Sequence, residues 1–469
     1  MTLSDRVLCA LDRSLGSGRV LTDPDILESY ATDESEVPAH PPQAVVRVQS
    51  AAEVESAMRI CAEHLVPVTP RAGGTGRTGG AVPLSGGLVM AFENMQRIKG
   101  IETGDMIAVV EPGVVLADLH RAVEALGLFY PPDPNSLNSC AIGGNVAENA
   151  GGPRALRYGC TRDYVLGMNI VTPDGEALSV GKRTVKGVTG YDLTSLLVGS
   201  EGTLAITTEI TLKLLPKPQA VATLLAALPS LESAGRAVTG LLGAAILPRC
   251  MELMDEITLN MVRPQAQLAI SEHARALLLI ELDGDEIALD AQLERAGNAL
   301  EEAGAIDVIV ARHGGERERL WAARRELSHA LRRSAKFKLA EDVVVPRSKI
   351  PQLIDQCQAL SERFGVLMPC YGHAGDGNIH VNFLWNDPAD EPKVHHAIEA
   401  LFRAVIALGG TLTGEHGIGV LKAPYLSIEQ SPRLIALQEQ VKNLFDPKQL
   451  LNPGKIFPAH VEQRLHKAC

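Results

Sequence analysis

The chain has 469 residues, of which 46% are hydrophobic and 21% are charged, and its formal net charge is −12. One hydrophobic core rarely supports a chain of this length, so two or three domains are expected. The acidic balance argues against nucleic acid as a partner, because binding phosphates requires a basic surface. The eight cysteines form no CxxC pair, which indicates reduced thiols in a cytoplasmic protein.

The first half of the chain predicts alternating short strands and helices. A strand over Ala44–Val48 leads to a helix that begins after Ser50, with Glu53 three residues on as in a capping box. Further strands are predicted over Val66–Thr69, Leu88–Ala91 and Met106–Val110, a helix over Val115–Leu126, and a hairpin whose strands include Ile170–Val171 and Leu178–Val180. A β-rich stretch, Thr203–Leu215, ends at two prolines that indicate a domain exit near residue 217.

Beyond that point two rounds of helices alternate with strands compatible with antiparallel pairing. Helices are predicted over Leu231–Leu242, Glu286–Ala303, Arg317–Arg333, Ile350–Phe364, Lys393–Leu408 and Pro432–Phe445, and strands over Cys250–Met254, Leu277–Leu282, Ile306–Val310, Asp342–Val345, Val366–Pro369 and Asn378–Phe383. This order predicts a ferredoxin-like sheet with helices on one face, and so an α+β fold. The predicted division is 1–217, 218–413 and a C-terminal segment, 414–469.

A glycine-rich loop between Pro70 and Pro83 contains five glycines in fourteen positions. Glycine allows positive φ and a close approach of main-chain N–H groups, which can form a concave nest for a phosphate. The loop therefore predicts a pyrophosphate site. A GxGxxG fingerprint would open directly into a helix, whereas Pro83 and Gly86–Gly87 follow here, which favours an irregular nest over a Rossmann domain. The alternative is a flexible surface loop.

Two later segments strengthen the ligand interpretation. Ser139–Gly152 is rich in glycine, alanine and asparagine, and Gly199–Ile206 reads Gly-Ser-Glu-Gly-Thr-Leu-Ala-Ile. Small residues with polar tips suit a flat heterocycle and a ribityl chain.

These segments resemble the flavoproteins of the vanillyl-alcohol oxidase type, in the branch that contains D-lactate dehydrogenase, the glycolate oxidase flavoprotein subunit and D-2-hydroxyglutarate dehydrogenase. The resemblance runs from about Pro42 to Phe457. It implies an FAD-binding domain over 1–217, a substrate or cap domain over 218–413, and a C-terminal helical segment that returns to the flavin. It also implies non-covalent FAD, because Thr75 stands where some relatives carry the histidine that bonds the flavin.

The resemblance assigns the FAD contacts to three groups and one C-terminal residue. The pyrophosphate would be held by Arg71, Ala72, Gly73, Gly74, Thr75 and Gly76. The isoalloxazine and ribityl portion would be lined by Pro134, Ser139, Gly143, Gly144, Asn149, Gly151 and Gly152. The adenosine side would meet Glu201, Gly202 and Ile206, and Asn452 would close over the flavin.

Two polar motifs carry the substrate chemistry, Tyr371–Asn382 and Gly414–Gly417. The strand pattern over Asn378–Phe383 places His380 and Asn382 on one face, and His373 is expected to enter from a glycine-rich turn just before it. Two imidazoles and a carboxylate can hold a catalytic divalent ion, although by residue type alone the histidines could equally be hydrogen-bonded in a polar cleft. The resemblance implies that His373, His380 and Glu415 bind metal, with Zn²⁺ first and Mn²⁺ or Fe as alternatives.

Oxidation of a 2-hydroxy acid removes a hydride from Cα and a proton from the hydroxyl group. FAD would accept the hydride at N5, and His416 is the predicted general base. Asn382 would help to hold the substrate. Arg324 is the predicted bidentate partner of the substrate carboxylate, with its neighbour Arg325 as the alternative.

One position bears on the choice of substrate. Relatives that act on D-2-hydroxyglutarate carry a lysine shortly before an aspartate-containing strand, and here the matching position is Ala340, with Lys336 and Lys338 close by. This favours a small monocarboxylate, D-lactate or glycolate. D-2-hydroxyglutarate remains an alternative, as do a non-redox enzyme of the alkyl-dihydroxyacetone-phosphate synthase type and a non-catalytic electron-transfer subunit.

The electrons must leave through an external acceptor: a quinone, a cytochrome, an electron-transfer flavoprotein or an iron–sulfur subunit. The chain has no cysteine cluster that would hold an iron–sulfur centre of its own. A homodimer formed through the second domain is expected, in the cytoplasm or attached to a membrane through a partner.

Overall fold

The computed structural model describes residues 3–263, 270–325 and 327–457. It divides the chain into two compact units. The first contains the described parts of Met1–Ala150, Cys160–Lys217 and Glu415–Cys469, and the second contains Gly151–Gly159 and the described parts of Pro218–Gly414. The short segment Gly151–Gly159, which the sequence division placed in the first domain, therefore groups with the second unit. Residues 458–469 of the predicted C-terminal segment lie outside the described residues.

Helices and strands are numbered here in chain order. Up to residue 217 they are α1 (Asp5–Leu15), β1 (Val20–Leu21), α2 (Pro24–Ser29), β2 (Ala44–Arg47), α3 (Ala51–His64), β3 (Val68–Arg71), β4 (Leu88–Ala91), β5 (Ile98–Glu102), β6 (Ile107–Val110), α4 (Leu116–Glu124), β7 (Leu128–Phe129), α5 (Ile142–Glu148), α6 (Ala155–Tyr158), β8 (Val165–Val171), β9 (Ala177–Gly181), α7 (Leu193–Leu197), β10 (Ile206–Lys213) and β11 (Leu215–Pro216).

The second half continues with β12 (Ala220–Leu228), α8 (Leu231–Gly243), β13 (Cys250–Met254), α9 (Glu256–Val262), β14 (Ala276–Gly284), α10 (Glu286–Glu302), β15 (Asp307–Ala311), α11 (Gly314–Arg325), α12 (Leu327–Ser334), β16 (Phe337–Val344), α13 (Ile350–Phe364), β17 (Cys370–His373), β18 (Asn378–Trp385), α14 (Glu391–Ala407), α15 (Leu426–Glu429) and α16 (Pro432–Phe445). Within the described part of the chain, no helix is long and apolar enough to cross a membrane.

The first unit contains a four-stranded sheet of order β1-β2-β4-β3 and a five-stranded antiparallel sheet of order β5-β6-β10-β8-β9. Strands β2, β4 and β3 are parallel, which requires a crossover, and α3 supplies it between β2 and β3. The predicted cap of α3 is confirmed, since the Ser50 hydroxyl accepts a hydrogen bond from the Glu53 N–H at 3.3 Å. The buried face of α3 packs into the hydrophobic core of this unit through Val54, Met58 and Cys61.

The C-terminal segment completes the first unit next to β3. The Val68 N–H donates to the Leu450 carbonyl and the Asn452 N–H donates to the Val68 carbonyl, both at 2.8 Å. Buried Lys442 on α16 binds the carbonyls of Thr203 at 2.7 Å and Leu451 at 3.0 Å. The chain after residue 445 therefore runs beside the strand that leads into the glycine-rich loop.

The second unit contains a seven-stranded antiparallel sheet of order β15-β12-β14-β13-β17-β18-β16. Its first four strands follow the chain as β-α-β-β-α-β, apart from the short helix α9, and lie in the spatial order fourth-first-third-second, which is the predicted ferredoxin-like arrangement. The second round supplies β17, β18 and β16, and an isolated bridge between Val344 and Thr411 lies beside β16 where a fourth strand would pair.

Three local predictions for the second unit were wrong or incomplete. The predicted strand Val366–Pro369 contains only an isolated bridge at Leu367, and the strand β17 begins at Cys370. His373, which was expected to enter from the glycine-rich turn before Asn378, is instead the last residue of β17, and the turn follows it. The nine-residue strand β12 was missed, although its apolar run directly follows the predicted domain exit.

Candidate functional site

The glycine-rich loop runs from β3 to β4 as turns and coil and does not open into a helix. Gly74 and Gly79 have φ angles of 67° and 84°, the left-handed region that glycine favours. The expectation that this loop does not open into a helix is therefore confirmed, and its role as a phosphate nest stays a prediction.

The loop touches the second glycine-rich segment directly. A Cβ on Gly73 would lie 2.8 Å from the Ser139 carbonyl oxygen and 2.9 Å from the Ala141 nitrogen, and a Cβ on Gly144 would lie 3.7 Å from the Ala72 Cβ. At residue 73 only a glycine fits without moving backbone, so the two predicted cofactor segments pack main chain against main chain at this point. A surface of main-chain atoms suits a pyrophosphate and its adjoining ribityl chain.

The remaining predicted residues of this group are distributed as follows. Arg71 donates from Nη1 to the Thr32 carbonyl at 2.7 Å, and burial lowers the pKa of its guanidinium. Gly143 packs against Pro112, and Asn149 has a φ of 55° and accepts a hydrogen bond from the Arg162 N–H. Ser139 is exposed, whereas Pro134, Thr75 and Gly76 are half-buried. Gly151 and Gly152 belong to the second unit.

Glu201 and Asn452 lie together in the first unit. The buried Glu201 carboxylate accepts the N–H groups of Ile418 and Gly419 at 2.8 Å and 2.7 Å, and burial raises its pKa. The Asn452 side chain donates to the carbonyl oxygens of Glu201 and Gly80. Asn452 is thus tied to the glycine-rich loop.

The other two residues predicted for the adenosine side also lie in the first unit. A Cβ on Gly202 would lie 2.9 Å from Pro70, so the chain passes close to the start of the loop there. The side chain of Ile206 is 2% exposed and belongs to the hydrophobic core of the first unit.

Sequence reasoning missed Lys455, whose buried ammonium donates to the Gly80 carbonyl and to the Asn452 side chain. Burial lowers the pKa of Lys455 to about 7. A lysine inside the apolar-flanked Asn452-Pro-Gly-Lys-Ile456 stretch was the available signal.

The predicted metal ligands come together. Antiparallel register sets Tyr371 opposite His380 and His373 opposite Asn378, and the two histidine rings lie 5.3 Å apart at 83°. Potential ligand atoms of His373, His380 and Glu415 all lie within 4.8 Å of one another. Two imidazoles and one carboxylate are a donor set that zinc and related divalent ions accept, so the residues present fit such an ion.

Glu415 directly follows a segment held by a buried carboxylate of the second unit. Asp342, which is fully buried, accepts the N–H of Gly414 at 2.9 Å and the hydroxyl of Thr413 at 3.0 Å. Asp342 pairs with His380 in the β16–β18 register. Strand β18, which carries His380, therefore lies beside Asp342, and Asp342 holds the two residues that precede Glu415.

Glu252 on β13 is a buried residue in contact with the histidine cluster that sequence reasoning missed. It is fully buried, lies opposite His373 in the β13–β17 register, and its Oε1 is 2.5 Å from His373 Nδ1. Burial alone would raise the pKa of Glu252, but His373 and Arg324 hold it at about 2. A lone glutamate in the apolar strand Cys250–Met254 was the only sequence signal.

Arg324, the predicted substrate clamp, is 4% exposed and engages Glu252. Its Nε and Nη2 atoms both lie 2.6 Å from Glu252 Oε2, and its guanidinium carbon lies 4.7 Å from the centre of the Tyr371 ring. The alternative residue, Arg325, is exposed and paired with Glu318. Of the two arginines, only Arg324 belongs to the histidine cluster.

The last two predicted residues differ in burial. Asn382 is fully buried, and its amide nitrogen lies 3.3 Å from the carbonyl oxygens of Pro369 and His380. His416 is half-buried, and its carbonyl accepts from the Thr78 hydroxyl at 3.0 Å. A Cβ on Gly419, whose φ is 51°, would lie 2.5 Å from that hydroxyl oxygen, so the turn after His416 requires glycine.

Comparison with known proteins places this architecture in a family. Residues 42–181 match the model described as FAD binding domain, and residues 217–456 match FAD linked oxidases, C-terminal domain. The chain is 39% identical to the protein named Glycolate oxidase subunit GlcD of Bacillus subtilis (strain 168), over 90% of this chain and 91% of that protein. It is 35% identical to D-lactate dehydrogenase of Anaerostipes hadrus (95% and 96%) and 33% identical to D-2-hydroxyglutarate dehydrogenase of Xanthomonas citri pv. viticola (98% of both).

Solved structures share the fold at lower identity. A p-cresol methylhydroxylase with substrate bound superposes with a TM-score of 0.80 at 16% identity over 96% of both chains. An alkyldihydroxyacetonephosphate synthase gives a TM-score of 0.77 at 18% identity, over 96% of this chain and 85% of that chain.

The chain belongs to the FAD-linked oxidases, within the branch that oxidises 2-hydroxy acids. It is an FAD-dependent oxidoreductase with the α+β fold of the vanillyl-alcohol oxidase type. The alkyldihydroxyacetonephosphate synthase, which represents the non-redox alternative, is 18% identical and shares the fold only. The relatives named as glycolate oxidase subunit and dehydrogenases are 33–39% identical over most of the chain.

Proposed function

We propose that this enzyme oxidises a small D-2-hydroxy monocarboxylate, D-lactate or glycolate, to the 2-oxo acid in a divalent-metal site. The observation that carries the proposal is the grouping of His373, His380 and Glu415, backed by a buried carboxylate. The first unit would hold FAD without a covalent bond, through the glycine-rich surface and the C-terminal residues beside it. The second unit would supply most of the substrate residues.

The chemistry divides between the bound groups and the side chains. Bound FAD supplies a hydride acceptor, and a bound divalent ion supplies Lewis-acid polarisation of the substrate hydroxyl group. His416 accepts the hydroxyl proton on its imidazole while the hydride leaves Cα, so that one C–H and one O–H bond are exchanged for a C=O double bond. Asn382 orients the substrate. The positive charge of Arg324 lies beside the histidine cluster and attracts the carboxylate of the substrate.

The preference for a short acid is supported by the residue opposite Asn382. Ala340 occupies that position in the β16–β18 register, so a methyl group faces the region beside Asn382. Lys338 lies on the same face of β16, two residues away, and donates from Nζ to the Ser328 hydroxyl at 3.1 Å. The ammonium of Lys338 could bind a second carboxylate, which favours the alternative substrate, D-2-hydroxyglutarate.

Anaerobic reduction of the flavin tests the proposal. The FAD-loaded enzyme is mixed with D-lactate, glycolate, D-2-hydroxyglutarate or L-lactate, and the oxidised flavin absorbance is followed. Rapid bleaching by D-lactate or glycolate is expected. Fastest bleaching by D-2-hydroxyglutarate would refute the monocarboxylate assignment, and no bleaching by any of these acids would refute the reaction.

A variant tests the assigned base. His416→Ala is expected to retain FAD and to reduce flavin roughly 10²–10⁴-fold more slowly, as for loss of a general base. His395→Ala, at an exposed position of α14, is the matched control and should behave like the parent. Unchanged flavin reduction in His416→Ala would favour the non-catalytic electron-transfer alternative.

We also propose that electrons pass from the flavin to an external quinone, cytochrome, electron-transfer flavoprotein or iron–sulfur subunit. In the described part of the chain, the group of side chains that could hold a metal ion is the histidine–glutamate cluster. The seven described cysteines are reduced thiols. An iron–sulfur centre would therefore belong to a partner. Dimerisation through the second unit and a cytoplasmic location remain predictions.

A further inference from the structure

The carboxylate of Glu252 divides its two oxygens between two different partners. Oε1 lies 2.5 Å from His373 Nδ1, and Oε2 lies 2.6 Å from both Nε and Nη2 of Arg324. Glu252 and His373 are fully or almost fully buried, at 0% and 2% exposure. This arrangement forms a continuous chain of charged and polar groups, Arg324–Glu252–His373, inside the second unit.

The contact with Nδ1 determines which histidine nitrogen can bind a metal. Because Arg324 occupies the other oxygen of Glu252, we assign the carboxylate as the acceptor in this contact and the hydrogen to Nδ1. In a neutral imidazole the lone pair then lies on Nε2, and the ring orientation is set by the carboxylate. Carboxylate contacts of this kind orient metal-bound histidines and strengthen them as ligands.

Arg324 gives the buried carboxylate its counter-charge. A lone carboxylate in this position would be strongly disfavoured, because burial removes its hydration. Two nitrogens of the guanidinium on one oxygen leave the other oxygen aimed at His373. The planar guanidinium is itself held over Tyr371, whose ring centre is 4.7 Å from its central carbon.

We infer that Glu252 is a positioning residue that holds the tautomer and orientation of His373 for a divalent ion, and that Arg324 acts on the metal site through Glu252. This inference rests on the proposed metal site. It assigns Arg324 a role beyond contact with the substrate, because an arginine that only binds the acid would not change the affinity of the protein for a metal ion.

A second buried carboxylate in the same sheet provides a matched control. Glu281 on the neighbouring strand β14 is 4% exposed and accepts from Arg317 at 2.7 Å and from Trp321 at 2.8 Å. It therefore resembles Glu252 in burial and arginine pairing, whereas its hydrogen-bond partners are Thr223, Arg317 and Trp321 rather than His373. A general loss of packing would affect both substitutions, whereas a loss of histidine positioning affects only Glu252→Gln.

The experiment measures Zn²⁺ affinity by competition with a chromogenic chelator, using metal-stripped protein that retains FAD. Glu252→Gln is expected to weaken Zn²⁺ binding roughly 10–100-fold. Glu252→Asp, which keeps the charge, should bind more tightly than Glu252→Gln and also serves if the glutamine variant does not fold. Arg324→Gln should weaken Zn²⁺ binding in the same direction, and Glu281→Gln should match the parent. Retained flavin absorbance verifies folding in each case.

The outcomes separate the inference from the metal proposal. A parent chain that binds no divalent ion, or a His380→Ala variant that binds Zn²⁺ like the parent, would overturn the metal site and the inference together. Zn²⁺ binding that is lost in His380→Ala but unchanged in Glu252→Gln would overturn the role of Glu252 alone. Unchanged Zn²⁺ binding in Arg324→Gln, with weakened binding in Glu252→Gln, would overturn the role of Arg324.

Discussion

Substitution of Gly74 by valine should remove FAD from the protein. The φ angle of Gly74 is 67°, and a Cβ there would lie 2.5 Å from Cζ of Arg71. Holding a side chain in the left-handed region costs about 1–2 kcal/mol, and a β-branched residue is a strong outlier there. The guanidinium of Arg71 must also move, which weakens its 2.7 Å hydrogen bond to Thr32 and adds about 1–3 kcal/mol.

A control variant separates backbone strain from the loss of the cradle. Gly127 has a φ of 73° and nothing within 4 Å of an added Cβ, so Gly127→Val carries the same conformational cost without a clash. Both variants should unfold at lower temperature than the parent. Only Gly74→Val should purify without the yellow colour, measured as flavin absorbance per chain. An equal flavin content in the two variants would refute the assignment of residues 71–76 to the pyrophosphate.

Two buried lysines give further tests in the first unit. Burial lowers the pKa of Lys455 to about 7 from 10.5. Between these two pH values the unfolded chain binds more protons than the folded chain. The free energy of unfolding therefore rises with pH in this range, by up to about 1.4 kcal/mol per pH unit. In Lys455→Met this rise of the unfolding free energy with pH should be lost. Urea unfolding near pH 7 and near pH 9 measures it. A variant that shows the same difference between the two pH values as the parent would contradict the prediction. Lys442 binds the carbonyls of Thr203 and Leu451 and pairs with the buried carboxylate of Asp446. Lys442→Met would leave that carboxylate unpaired and should cost about 3–5 kcal/mol of unfolding free energy. A loss below about 1 kcal/mol in denaturant titration would contradict this role.

Local features of the sequence predicted several elements of the first unit. The capping of α3 by Ser50 and the coil after Pro83 depend on residues a few positions apart, and both were predicted correctly. The resemblance named His373, His380 and Glu415, and potential ligand atoms of these residues lie within 4.8 Å of one another; that they bind a metal stays a prediction.

Only the tertiary structure revealed what surrounds those motifs. Glu252 and His373 are 121 positions apart in the chain, and their contact depends on the register of two strands that no local pattern specifies. Arg324 carried a recognisable charge, but its pairing with Glu252 follows from how α11 packs on the sheet. Short-range propensities and motif chemistry can be read along the chain, whereas the partners of a buried charge are decided by non-local strand pairing and helix packing.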